Sequence, residues 1–179
     1  MNNQILFIIK AFSFASQKHI FQLRRDEKTP YINHLIEVAT IIVEELKIFS
    51  KDIITAAILH DTLEDTNTNE KEISNLFGKE TLSYVKEVTD DMSVSKIERK
   101  KRTIIKAQTF SYAASVIKLS DCISNIRSMI KTPPNWTLER KIYYIEWQKE
   151  LVKTLPHIKE ELKGIFYKEY NKTHKRLTS

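Results

Sequence analysis

The sequence predicts an all-α protein of seven to nine helices folded as one domain, and three observations predict it. Apolar residues recur at three- and four-residue spacing through most of the chain. No stretch shows strand-like alternation bounded by turn residues, and helix-start and helix-stop residues punctuate the apolar stripes. A length of 179 residues suits a single core of useful size. The expected domain covers residues 1–179, with a core over about 5–163 and a basic tail over 164–179.

Each element follows from local signals. Ile5, Ile8, Ile9, Phe12, Ala15 and His19 fall on one face of a first helix. The polar stretch from Gln22 to Lys28 ends at Thr29-Pro30, where the restriction on a residue before proline predicts a loop. A second helix runs from His34 to Leu46, with Leu35, Val38, Ala39, Ile42 and Leu46 as its stripe and Asn33 as its N-cap. Ser50 opens a third through Ile53, Ile54, Ala57, Ile58 and His60 to Leu63. Asn69 with Glu72, and Ser95 with Glu98, match the capping-box pattern, and Gly78 predicts a stop after the first of them. Long helices at about Ala113 to Ile130 and Thr137 to Leu155 flank Thr132-Pro133-Pro134-Asn135. Pro156 then sets off a final basic helix with a frayed end at Ser179.

Composition excludes several function classes. With only two Gly, the chain has no glycine-lined phosphate loop of the Walker or Rossmann kind. The lone Cys122 makes neither an internal disulfide nor a cysteine zinc site, which favours a reducing compartment. No apolar run approaches the roughly 20 residues of a bilayer span, so no membrane partner and a cytoplasmic location are expected. Ten acids against four bases between Lys51 and Asp91 adjoin six bases against one acid between Lys96 and Lys106. Such a layout fits a bound cation beside a bound anion, and equally two solvated helix faces.

The chemically informative segment is Ala56-Ala57-Ile58-Leu59-His60-Asp61-Thr62-Leu63-Glu64-Asp65-Thr66. On a continuous helix His60 and Glu64, and Asp61 and Asp65, are i, i+4 neighbours, so an imidazole and three carboxylates share one end of an apolar run. Such a cluster wants a cation, although a helix end opening into solvent gives the same pattern. His34 and Asp121 are the residues elsewhere that helix packing could bring to it, with Asn125 one turn beyond Asp121.

The ordered motifs Thr29-Pro30-Tyr31-Ile32-Asn33-His34, AAILHDTLEDT from Ala56, EVTDD from Glu87, KIERK from Lys96, KLSD with Asn125, and YYIEW from Tyr143 resemble those of the HD-domain phosphohydrolases. Within that family the chain is similar to the small alarmone hydrolases related to the hydrolase half of RelA/SpoT enzymes. The resemblance implies His34, His60, Asp61 and Asp121 as ligands of a divalent ion, Mn2+ in this family, with coordination positions left for water and substrate. It implies Glu64 and Asp65 as the pair that positions and deprotonates water. Guanosine tetra- or pentaphosphate is the implied substrate, cleaved at the 3′ position to pyrophosphate and GDP or GTP. Its contacts would be Arg24, Arg25, Lys96, Asn125, Arg140 and Tyr144.

Some positions depart from the family pattern. Leu35 stands where Pro is usual, Ser120 and Cys122 flank Asp121 where Ala and Lys are common, and Ser124 replaces a frequent Tyr. The loop before Thr29 is shorter and lacks the usual Gly, leaving Arg24 and Arg25 as alternatives for one basic position. The alternative functions are removal of the 2′-phosphate of NADPH or hydrolysis of an adenosine alarmone at the same metal site. A third is a non-enzymatic module binding nucleic acid or a partner through its basic helices, although no nucleic acid is expected as a partner. The length has no room for a synthetase half, so a separate alarmone synthetase is the expected pathway partner, and a homo-oligomer is compatible with the sequence.

Overall fold

The computed structural model describes residues 2–179, which form nine α-helices and no strand beyond an isolated bridge between Leu23 and Pro30. They are α1 (Asn2–Lys18), α2 (Ile32–Thr40), α3 (Lys51–Leu59), α4 (Thr62–Asp65), α5 (Glu70–Val88), α6 (Lys96–Ala107), α7 (Tyr112–Lys131), α8 (Leu138–Thr154) and α9 (Glu160–Thr178). The all-α expectation holds.

The centre of the molecule is α7, buried without interruption from Ala113 to Ile126. A helix buried all round must be covered on every side, and here α2, α3, α5, α8 and α9 do so. Its buried face also carries Lys118, Ser120, Asp121, Ser124 and Asn125. Buried polar groups need partners, and that requirement locates the site described below.

Several local expectations are corrected. The buried face of α1 centres on Ala11 and Ala15, while Ile5 and Ile9 are exposed. Phe7 and Phe14 both meet the edge of Phe77 on α5, which turns their side of α1 inward. Asn33 does not cap α2, because the helix starts at Ile32, two residues before His34, and Tyr31 is its N-cap. The end of α2 widens into a π-helical turn, Ile41–Glu45, closed by Leu46 N–H donating to the Ile41 carbonyl. Ser50 caps α3, Asn69 and Glu72 form a complete capping box, and Ser95 caps α6. Gly78 breaks α5 at φ 86° and ψ 164°, after which the helix resumes. The boundary expected near residue 163 does not hold, since α9 buries Phe166 and Tyr170 against the core and stays helical to Thr178.

Candidate metal centre and active site

The third apolar segment is not the continuous helix its spacing suggests. It ends at Leu59, and Asp61, at φ −99° and ψ −2°, separates it from the short α4. The freed carbonyls of α3 are used locally: His60 Nδ1 donates to Ala57 O at 2.7 Å and the Thr62 hydroxyl to Leu59 O at 2.6 Å. The break presents His60 and Asp61 side by side.

Opposite them stand His34 from the first turn of α2 and Asp121 from the middle of α7. His34 Nε2 lies 3.3 Å from Asp121 Oδ1 and 3.8 Å from Asp61 Oδ2, and His60 Nε2 lies 3.0 Å from Asp61 Oδ2 and 3.9 Å from Asp121 Oδ1. Three distant parts of the chain meet here, and His34, His60 and Asp121 each offer a ligand atom within 4.8 Å of the others. Asp61 also accepts from the Tyr31 hydroxyl at 2.6 Å, and the buried Lys118 ammonium lies 3.3 Å from Asp121 Oδ2.

Proton bookkeeping says what the cluster lacks. A carbonyl oxygen only accepts, so His60 Nδ1 must carry hydrogen. His34 Nδ1 faces Ser124 Oγ at 2.9 Å, and the single hydroxyl hydrogen of Ser124 is committed to the Glu37 carboxylate at 2.7 Å. His34 Nδ1 is therefore a donor as well. Both Nε2 atoms thus turn toward two carboxylates. His60 Nε2 is sealed from solvent and makes no well-aligned hydrogen bond. Two imidazole nitrogens and two carboxylate oxygens, at edge distances near the roughly 3 to 3.5 Å expected around an ion with bonds of about 2.1 Å, fit a divalent transition metal.

The electrostatics agree. Burial and the Arg24 charge push His34 down to about 4, against the pull of Asp121, so it stays neutral. Burial also opposes charge on His60, but the Asp61 and Asp121 carboxylates outweigh it and raise the group to about 9. A proton on His60 thus does in part what a cation would do. Asp121, despite its burial, is held well below the usual carboxylate range by Lys118 and the histidines. Burial and the Asp61 charge raise Glu64 to about 7, partly offset by the Asp90 N–H donating to Glu64 Oε2 at 2.9 Å. Asp65 is raised for the same two reasons and accepts from Gln22 at 3.2 Å.

A cavity of about 520 Å³ opens from this centre, and Arg24, Arg25, Lys96, Asn125, Arg140 and Tyr144 all line it. Both arginines enter, Arg24 Nη2 and Arg25 Nη1 donating to Asn125 Oδ1 at 2.8 and 2.9 Å. They then diverge. Arg24 lies over Tyr31 at 5.4 Å, on the metal side, and Arg25 over Tyr144 at 4.8 Å, on the aromatic side. Glu64 and Asp65 border the same space.

Several lining residues have no role in the motif reading. Trp136 carries the Arg140 guanidinium at 4.1 Å. Lys100 sits 4.4 Å from the Tyr143 ring centroid, 5.4 Å from Tyr144 and 4.9 Å from Trp147. Burial and the charges of Lys96, Arg25 and Arg140 lower Lys100 to about 8. A run of Lys and Arg on α6 gives no sign of which cation turns inward. The aromatic residues after Pro134 were the available signal, because cations collect over aromatic faces.

Comparison with known proteins now decides the family. The model of the HD domain family matches residues 11–145. The chain belongs to the HD-domain family. This HD-domain protein is 41% identical over 166 residues to guanosine-3′,5′-bis(diphosphate) 3′-pyrophosphohydrolase MESH1 of Xenopus tropicalis, covering 92% of this chain and 93% of the relative. It is 39% identical to the Homo sapiens protein of the same name, over 93% and 96% of the two chains. A solved structure described as a metazoan orthologue of SpoT that hydrolyses ppGpp superposes with a TM-score of 0.88 at 36% identity, covering 93% of this chain and 94% of its own. Among the described residues, no helix is long and apolar enough to cross a membrane.

Proposed function

We propose that this HD-domain protein is a metal-dependent guanosine-3′,5′-bis(diphosphate) 3′-pyrophosphohydrolase, converting ppGpp or pppGpp to GDP or GTP and pyrophosphate, with Mn2+ as its ion. One observation carries the reading: two imidazole Nε2 atoms face two carboxylates, and the cavity they open into is lined by Arg24, Arg25, Lys96, Lys100 and Arg140. The names of the relatives support the guanosine substrate.

His34, His60, Asp61 and Asp121 would hold the ion, which when bound lowers the pKa of a coordinated water and polarises the phosphoryl oxygen. The remaining work belongs to side chains. Glu64, held to about 7, accepts the proton of the attacking water, and Asp65, the next residue along, orients it. The Tyr31 hydroxyl keeps one oxygen of Asp61 in place. Arg24, Arg25, Lys96, Lys100 and Arg140 neutralise the phosphates, a task that a chain without a glycine loop must assign to side chains. Tyr144 and Trp136 offer flat faces to sugar or base, and Asn125 sets the two arginines. A separate alarmone synthetase would supply the substrate, in the cytoplasm.

The Mn2+-loaded protein is expected to release pyrophosphate from ppGpp, with activity lost on chelation and reduced by at least about 10³ in Asp121→Ala. Intact ppGpp after incubation with loaded protein would sink the substrate assignment. The names of the relatives lend no support to the NADPH 2′-phosphatase, adenosine-alarmone or nucleic-acid readings. Rates on NADPH and adenosine alarmones with the same preparation are expected to be lower than on ppGpp.

A further inference from the structure

We infer that Glu37 and Ser124 are positioning residues that lock His34 in the tautomer a metal requires, an inference that rests on the metal reading of the site. Glu37 and His34 lie one turn apart on α2, and Ser124 faces them both from α7. The Ser124 hydroxyl donates to Glu37 Oε2 at 2.7 Å, and His34 Nδ1 lies 2.9 Å from Ser124 Oγ. Lys131 holds the other Glu37 oxygen at 3.1 Å, which keeps Oε2 aimed at the serine. His34 and Ser124 are both almost completely buried, so water does not compete for either.

The direction of the chain follows from counting hydrogens. A carboxylate supplies none and a serine supplies one. With that one spent on Glu37, Ser124 can only accept from His34, and the Nδ1–H form is imposed. The Nε2 lone pair then faces Asp61 and Asp121. A hydroxyl already polarised by a carboxylate is also the better acceptor, which makes the imidazole a stronger ligand. His60 has no such device, since its Nδ1 bonds only a backbone carbonyl.

The test is titration of metal-free protein with Mn2+, free ion being read by electron paramagnetic resonance, for the wild type, Ser124→Ala, Ser124→Thr, Glu37→Ala and Glu37→Gln. Ser124→Ala and Glu37→Ala are expected to weaken binding by about ten- to a hundredfold, whereas Ser124→Thr and Glu37→Gln, which keep a hydroxyl and an acceptor, stay within about threefold. In parallel, 15N spectra of the metal-free wild type should show a protonated His34 Nδ1 that exchanges slowly, and faster exchange in Ser124→Ala. Binding by both alanine variants within twofold of wild type overturns the relay. Should Ser124→Ala fail to fold, unchanged binding by Glu37→Ala, whose side chain is 29% exposed, overturns it alone. A wild type that takes up no Mn2+ overturns the metal reading instead, and the relay then stands or falls on the His34 Nδ1 signal.

Discussion

At the scale of single residues, Lys100 shows how a cavity prepares for a polyanion. Its ammonium has three aromatic rings as neighbours and, among the described residues, no carboxylate partner, while Lys96, Arg25 and Arg140 crowd it with like charge. Lys100→Gln is therefore expected to raise KM for ppGpp by about tenfold, the effect of losing one charge-assisted phosphate contact, with kcat changed less than threefold. Steady-state kinetics on the two proteins check it. The pH dependence follows with a definite sign. In the free protein Lys100 is charged below about 8 and neutral above it. A bound polyphosphate favours the charged form, so binding above pH 8 must take up a proton. KM is expected to rise as pH passes from 7.5 to 9.5 in the wild type, and to rise less in Lys100→Gln. Parallel profiles for the two would assign the dependence to another group.

At the scale of elements, the breaks in the helices matter as much as the helices. The interruption at Asp61 sets two adjacent residues at the proposed ion site, and Gly78 turns α5 between residues 70–77 and 79–88. A φ of 86° with ψ 164° belongs to a region that only glycine adopts freely. A Cβ at Gly78 would meet no atom within 4 Å, so the penalty of Gly78→Ala is conformational alone. The expected loss is about 1 to 3 kcal/mol, read as a lower midpoint in urea with an unchanged slope. The caps at Ser50, Asn69 and Ser95 and the stop at Gly78 were legible in the sequence because each depends on residues within one turn. The π-helical turn, the restart at Thr62 and the inward side of α6 were not, because each is set by a neighbouring element. In the same way His60-Asp61 reads as a pair, but only packing brings it to His34 and Asp121. The ordered motifs supplied that convergence, whereas spacing within a helix could not.

At the scale of the whole molecule, the site and the core are one construction, because α2, α7 and the break after α3 carry the proposed ligand residues and the same helices bury the apolar centre. The last helix belongs to it. Residues 164–179 read as a basic tail, yet Phe166 is fully buried and α9 packs on both α7 and α8. Phe166→Ala is expected to cost about 3 to 5 kcal/mol and to lower Tm by roughly 10 °C, measured by circular dichroism. A bound ion should act on the same helices in the opposite direction. Since the unfolded chain does not hold His34, the His60-Asp61 pair and Asp121 together, an ion that binds only the folded form stabilises the entire domain, by about 2.7 kcal/mol at a hundred times its Kd. For a domain of this size that is a rise in Tm of roughly 5 to 10 °C, reversed by chelation. Below about pH 9 the ion must displace the proton that His60 carries in the metal-free protein. The rise should therefore shrink as pH falls from 8 to 6 at fixed Mn2+, and should vanish in Asp121→Ala. A shift that grows toward low pH would mean that the ion binds elsewhere, and the four residues would then be a charge cluster and not a metal centre.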